Sequence, residues 1–337
     1  MYAIVCREPG HLALEERPEP ERQPDEVLVQ IKRVGICGTD FHIYEGLHPY
    51  LDYPRVMGHE LSAEVLEAPA SSGLTTGQLV IVNPYLSCGA CHACRSGKPN
   101  CCMRIAVLGV HRDGGMCERL SLPPGNLHPA GDLTADAAAT IEFLAIGAHG
   151  VRRSGLGGGT RTLVVGAGPI GVGAAIFAKI AGGVVTVMDR DSGRLASAGK
   201  LTGAAGSILA DEGAADAIAA ATDGDGFDVV IDATGNRASM ENGFRYVAHG
   251  GTYLLLSVVR DDIAFADAEF HKREMTLLGS RNALKADFDH VVASIAAGAV
   301  PVDQLITHRT TLAGAVTDLP RWATDKRGLV KTMIEVS

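Results

Sequence analysis

The segment TLVVGAGPIGVGAAIFAKIAGGVVTVMD, running from Thr162 to Asp189, decides the fold class. An apolar strand over Thr162 to Val165 leads into Gly166-Ala-Gly168-Pro169-Ile170-Gly171; a helical stretch, Val172 to Ala181, and a second apolar strand ending at Asp189 follow. A bare GxGxxG string is a weak signal. Between a strand and a helix, however, its glycines stand where a tight turn, close approach of a pyrophosphate and close helix packing are needed. The helix N-terminus adds N–H groups and partial positive charge for the phosphates. Asp189 lies 23 positions after Gly166, where a carboxylate accepts hydrogen bonds from the adenosine ribose and repels a 2′-phosphate, so NAD is favoured over NADP. Arg190 and Arg194 follow closely. They either hold such a phosphate, against that preference, or stand as solvated surface charges.

Around this segment, from about Phe143 to Arg281, six apolar runs alternate with Ala-rich helical stretches: TLVVGAG, VVTVMD, GSILA, DVVIDAT, GTYLLLS and MTLLGS. That alternation predicts a doubly wound, parallel six-stranded sheet. Residues 1–142 differ, with short apolar strands punctuated by Pro and Gly, and predict an irregular, mostly β domain. Residues 282–337 return to a mixed pattern, with a helix over Asp287 to Ala297 and a closing strand over Leu329 to Glu335. A chain of 337 residues exceeds what one core usually supports. The plan is therefore 1–142, 143–281, and 282–337 returning to the first domain.

Composition excludes several classes. A hydrophobic content of 46% with 20% charged residues describes a globular protein, and a net charge of −9 without a Lys/Arg cluster gives no footprint for nucleic acid or an anionic membrane. The apolar uncharged run Leu163 to Ala178 is too short and too broken by glycine to span a bilayer. The opening MYAIVCREPG carries no secretory leader, so a reducing, cytoplasmic compartment is expected.

In such a compartment the stretch CGACHACRSGKPNCC, Cys88 to Cys102, reads as a zinc lobe rather than as disulfides. Cys88, Cys91 and Cys94 form two Cys-x-x-Cys steps, and Cys101 and Cys102 compete for the fourth position. A second constellation lies upstream. In GICGTDFH, Cys37 is followed by Thr39 and His42, and His59-Glu60 comes some twenty residues later. Thiolate, imidazole and carboxylate suit a zinc site of the catalytic form, with three protein ligands and one open position.

With these four motifs in this order, the chain resembles the zinc-dependent medium-chain dehydrogenase/reductase family, which includes alcohol, sorbitol and threonine dehydrogenases. The resemblance covers essentially the whole chain. It implies an α/β fold, a GroES-like mostly β catalytic domain joined to a Rossmann domain, and two zinc ions with NAD. It selects Cys102 as the fourth structural ligand. Cys37, His59 and a carboxylate would hold the catalytic zinc, and Thr39 and His42 would relay the hydroxyl proton through the cofactor ribose toward solvent. Glu142 occupies the Glu of a Glu-Pro pair found in the polyol branch, although Phe143 replaces the proline. Glu60 resembles the residue that alternates with water at the metal. A homo-oligomer, dimer or tetramer, acting on a small polyol or sugar acid is implied.

The segments LGVHRDGG, GSRNALKADF and DQLITHR are similar to a bacterial subgroup of L-galactonate and L-gulonate 5-dehydrogenases, which oxidise a secondary hydroxyl of a sugar acid. A hexonate carboxylate needs a cation, and these segments supply His111, Arg112, Arg281 and Lys285. An Arg suits the role best, because its fork meets a carboxylate bidentately. Arg281 is the first choice because it follows the last strand of the predicted sheet, and ligands bind at the carboxyl ends of such strands. A sorbitol or threonine dehydrogenase, or an NADP-dependent zinc aldehyde reductase, would share every motif. A zinc-free member of the fold would lack the Cys37 and His59 set.

Overall fold

The computed structural model describes residues 1–48 and 51–337. It divides into two compact units, Met1–Glu142 with Val292–Ser337, and Phe143–Val291. In the first unit a ten-residue strand, Val27–Ile36, is the hub of a sheet. Its alternating apolar residues Val27, Val29 and Ile31 point into the core, as period-two patterning requires. The order across the sheet is Leu127–Pro129, Leu79–Val82, Glu60–Glu67, Val27–Ile36, Lys331–Glu335, Ile306–Thr311, with Arg119–Leu122 also on the hub strand. Register sets the site. Gly35 is paired with Glu60 on one side and with Met333 on the other.

The second unit carries six parallel strands in the order Gly206–Leu209, Val184–Asp189, Arg161–Val165, Phe227–Asp232, Val247–Leu255, Thr276–Gly279. The β-branched runs of the central strands are buried almost throughout, as expected where helices cover both faces. Strand order reverses on either side of Arg161–Val165, which is the switch point where such sheets bind ligands. Among the described residues no helix is long and apolar enough to cross a membrane.

The chain leaves the second unit at Val291 rather than at Arg281. The reason is the buried carboxylate of Asp287, on the helix Lys285–Ala296. It lies 2.7 Å from His149 Nδ1 and accepts from Arg152 Nε at 2.7 Å, both on the helix Ile141–Ser154. The change of sequence pattern at Asn282 marks new local structure, while packing keeps the helix with the sheet. Burial pushes the Asp287 carboxyl up, but hydrogen bonds from His149, Arg152 and the Leu284 N–H outweigh it and hold it down at about 2.

A folded-state value below the unfolded one means that ionised Asp287 stabilises the fold fully above about pH 4 and that this stabilisation fades as pH falls toward 2. Asp287→Asn should cost about 2 kcal/mol at pH 7, and the difference from wild type should shrink by roughly half by pH 3. Denaturant midpoints of the two proteins at both pH values measure this. A difference that does not change with pH would show that the charge is not what anchors the helix.

Candidate active site and metal centres

Cys37 ends the hub strand and caps the helix Gly38–Tyr44, its Sγ accepting from the Thr39 N–H at 3.2 Å. Asp40 turns back to accept from the Cys37 N–H at 2.9 Å, closing a reciprocal capping box. The other oxygen of Asp40 accepts from the Gly58 N–H at 3.2 Å and lies 3.9 Å from His59 Nδ1. One buried carboxylate thus ties the cysteine and histidine segments together. Nε2 of His59 faces inward, 3.2 Å from Cys37 Sγ.

Glu60, next in sequence, has both oxygens 2.7 Å from Lys331 Nζ. Glu142, in the first turn of the helix Ile141–Ser154, accepts from the Tyr85 hydroxyl with one oxygen, while its Oε2 is buried without a partner. Ligand atoms of His59, Glu60 and Glu142 lie within 4.8 Å of one another, and those of Cys37, Asp40 and His59 do likewise. Burial pushes Glu142 up to about 7, with His59 pulling it down and Glu60 adding to the rise. Burial alone would lower His59, yet Cys37 and Asp40 hold it well above the usual imidazole range. The pocket is an electronegative nest with an orphaned carboxylate oxygen, and its sulfur, nitrogen and oxygen donors fit a zinc ion.

Thr39 and His42 are one turn apart on the helix Gly38–Tyr44, so they share a face, Thr39 half-buried and His42 exposed.

The cysteine lobe forms a second centre. Cys91 Sγ lies 3.5 Å from Cys94 Sγ and 3.9 Å from Cys102 Sγ. These distances bracket the edge of about 3.8 Å in a tetrahedron with Zn–S bonds of about 2.3 Å. They are far too long for disulfides. Cys88, Cys91, Cys94 and Cys102 cluster together, while Cys101 is exposed and outside the group. The Arg104 guanidinium, 3.4 Å from Cys88 Sγ, draws the Cys88 thiol down to about 5. That favours the thiolate a metal needs.

In the second unit a cavity of about 530 Å³ opens at the ends of the central strands, lined by Gly166, Gly168, Asp189, Arg190, Arg194 and Asn236 among others. Gly166 has φ +102°, and a Cβ on Gly171 would strike the Gly166 carbonyl oxygen at 1.7 Å. Gly168 faces open space and caps the helix Pro169–Ile180, whose first residues are Pro169 and Ile170. The Asp189 carboxylate accepts from the Ala167 N–H at 2.7 Å and the Asp191 N–H at 2.9 Å, which fixes it at the cavity wall. This cradle fits the phosphates and ribose of a dinucleotide.

The substrate candidates are scattered. The turn carrying His111 and Arg112 packs against Gly58, with the Gly115 N–H donating to the Gly58 carbonyl at 2.9 Å, which places it beside the His59 segment. Arg112 is exposed, and His111 Nδ1 accepts from the Val107 N–H at 3.2 Å. Arg281 is exposed just beyond Thr276–Gly279, and Lys285 is spent on a surface ion pair with Asp289 at 2.7 Å. Four residues of these sites escaped the sequence reading: Asp40, Tyr85, Arg104 and Lys331. Only Asp40 left a local trace, an acidic side chain three positions after a cap residue.

Residues 23–132 match the alcohol dehydrogenase GroES-like domain and residues 169–297 match the zinc-binding dehydrogenase family. L-galactonate-5-dehydrogenase of Escherichia coli is 41% identical, over 99% of this chain and 98% of that protein. The short chain alcohol dehydrogenase RspB of Escherichia coli, solved with NADH, superimposes with a TM-score of 0.92 at 29% identity over 99% of each chain. A protein of Sinorhizobium meliloti described as a zinc-binding dehydrogenase and bound to NADP gives 0.90 at 28% identity, over 99% of this chain and 98% of that one. Likeness of this extent, on a fold that pairs a GroES-like domain with a Rossmann sheet, makes the chain an oxidoreductase of the zinc-dependent medium-chain alcohol dehydrogenase family.

Proposed function

We propose that this enzyme oxidises a secondary hydroxyl of a sugar acid, a hexonate such as L-galactonate or L-gulonate, and passes the hydride to NAD. The observation that carries the chemistry is that His59 belongs to two donor groups, one with Cys37 and Asp40 and one with Glu60 and Glu142, the latter with a buried, unpartnered Glu142 Oε2. The substrate class draws on the 41% identity to a hexonate dehydrogenase. Cys37, His59 and Glu142 would hold a zinc ion, which as a Lewis acid lowers the pKa of a substrate hydroxyl. A bound nicotinamide supplies the hydride acceptor. Asp40 keeps Cys37 and His59 aligned. Thr39 would accept the hydroxyl proton while releasing its own hydroxyl proton onward, and His42, exposed one turn on, would be the group that hands a proton to solvent. The cysteine lobe would hold a second, structural zinc.

For the coenzyme, Asp189 supports NAD, since a carboxylate fixed by two backbone N–H groups meets a 2′-phosphate as a rigid negative charge. Arg190 and Arg194 on the same cavity support the opposite reading. The exposed edge strand Thr276–Gly279, with Leu277 and the 89% exposed Val258 nearby, supports a homo-oligomer.

Metal analysis should find two zinc ions per chain. Cys94→Ser should lose one of them and lower Tm, because structural zinc contributes directly to folding. Cys37→Ser should abolish turnover while leaving circular dichroism unchanged. One zinc or fewer in unchelated protein would count against the scheme.

NADH should bind about 10- to 100-fold more tightly than NADPH, the span of one charged hydrogen bond made or lost. Asp189→Asn, which keeps an acceptor for the Ala167 N–H, should erode that ratio in fluorescence titrations. A wild-type protein that prefers NADPH would transfer the assignment to Arg190 and Arg194.

Arg281→Ala or Arg112→Ala should lower kcat/KM for the hexonate roughly ten- to a hundredfold at saturating NAD and spare a neutral polyol of equal length. Equal losses on both substrates would return that Arg to the cofactor or the fold. A wild-type preference for the neutral polyol would replace the sugar-acid reading with a sorbitol-like one.

A further inference from the structure

The cysteine lobe is closed at its root by a two-stranded ribbon. Tyr85 stands three positions before Cys88 and Ala106 four after Cys102, and the strands Tyr85–Leu86 and Ala106–Val107 run antiparallel, with Tyr85 opposite Val107. The Leu108 N–H donates to the Pro84 carbonyl at 3.1 Å and extends the closure. Each side of this ribbon reaches one of the candidate catalytic ligands. On the entering side Tyr85 is 8% exposed, and its hydroxyl donates to Glu142. Its backbone is held as well, because the Tyr85 N–H donates to Asn83 Oδ1 at 3.0 Å and Asn126 Nδ2 donates to the Tyr85 carbonyl at 3.3 Å. On the leaving side Gly109 lies so near Gly58 that a Cβ on it would stand 2.8 Å from the Gly58 nitrogen, and Gly58 directly precedes His59.

Resting on the two metal sites proposed above, we propose that Tyr85 is a positioning residue through which a metal in the cysteine lobe raises the metal affinity of the pocket at Cys37 and His59. The lobe supplies the two-state element that such coupling needs, because a small site of this kind is ordered with its metal and loosened without it. Opening the lobe frees the ribbon, and with it the hydroxyl that holds one oxygen of Glu142. The other oxygen, Oε2, is buried and unpartnered among the described residues, in the group that Glu142 forms with His59 and Glu60. A carboxylate held in this way presents a single donor atom in a fixed direction, whereas one without the hydroxyl must be ordered by the incoming metal. The contact at Gly109 acts on His59 only through the backbone of Gly58. Tyr85 touches the donor side chain itself.

The test uses full-length enzyme with zinc retained in the lobe and the Cys37 pocket emptied, then titrated with Co²⁺, whose thiolate absorption band should vanish in Cys37→Ser. Tyr85→Phe, which keeps the ring and removes the hydroxyl, should weaken Co²⁺ binding roughly 10- to 100-fold. Cys94→Ser should weaken it at least as much, and adding Tyr85→Phe to Cys94→Ser should weaken it no further. Coupling between two sites is reciprocal. The zinc affinity of the wild-type lobe, read by elemental analysis after equilibration in a chelator buffer, should therefore be roughly tenfold higher with Co²⁺ in the pocket than with the pocket empty. In Tyr85→Phe the two affinities should agree. A Tyr85→Phe enzyme that binds Co²⁺ as wild type does, additive losses in the double variant, or a wild-type lobe indifferent to the pocket overturns the role of Tyr85. If Cys94→Ser does not fold, wild type and Tyr85→Phe decide through the lobe affinities. If wild-type protein takes up no Co²⁺ that Cys37→Ser abolishes, the metal pocket itself is refuted and the coupling falls with it.

Discussion

Three carboxylates, Asp40, Glu60 and Glu142, are buried beside one another with a cysteine thiol, and the rest of the catalytic unit is arranged around making that tolerable. A buried ionised carboxylate is stable only when paired or hydrogen-bonded. Each has a different solution. Asp40 is satisfied by backbone N–H groups from two segments, Glu60 by an ammonium, and Glu142 by a phenol that leaves one oxygen over. The hydrogen-bonding capacity left unspent is therefore concentrated at Glu142, next to His59. The hub strand Val27–Ile36 makes this possible, because its two neighbours supply Glu60 and Lys331 at the same level and Cys37 follows directly from its end.

The two sulfur-bearing centres differ in how they are built. The cysteine lobe is contiguous, its ligands spaced over fifteen residues, with Cys88 drawn toward the thiolate by Arg104 and Cys91 by backbone N–H groups, while desolvation pushes the Cys94 thiol up to about 11. Hard oxygen donors are missing from that cluster, so it suits a closed tetrahedral metal. The pocket at Cys37 is assembled from strands, a helix start and a loop far apart in sequence, and its mixed donors suit a metal with work to do at an open position.

How much of this was legible follows from the same distinction. The glycine-rich turn, Asp189 and the cysteine spacing could be read because each is a local pattern whose geometry is set within a few residues. The six strands of the Rossmann sheet were readable because each is a short apolar run between turn signals. Asp40 left a local trace, the spacing of a capping box in the first turn of the helix Gly38–Tyr44, but its partner is a cysteine, which is not among the usual cap residues. Tyr85 and Lys331 left none. The contact between Lys331 and Glu60 spans 271 residues and depends on which strands become neighbours. For the same reason the unit boundary moved from 281 to 291, because Asp287 binds a helix 138 residues earlier and leaves no trace in local composition.

The strand Lys331–Glu335 lies in the hub sheet between Val27–Ile36 and Ile306–Thr311 and is the last of the site's elements to be synthesised. A chain emerging at about 5–20 residues per second and folding from its N-terminus can fill the contiguous cysteine lobe long before that strand appears. During that interval Glu60 has no ammonium beside it, and the pocket that contains it holds an excess of negative charge. The two candidate metal sites are thus completed at different stages of synthesis. The lobe can mature on the growing chain, whereas the catalytic pocket acquires its final charge balance only once synthesis has passed Lys331.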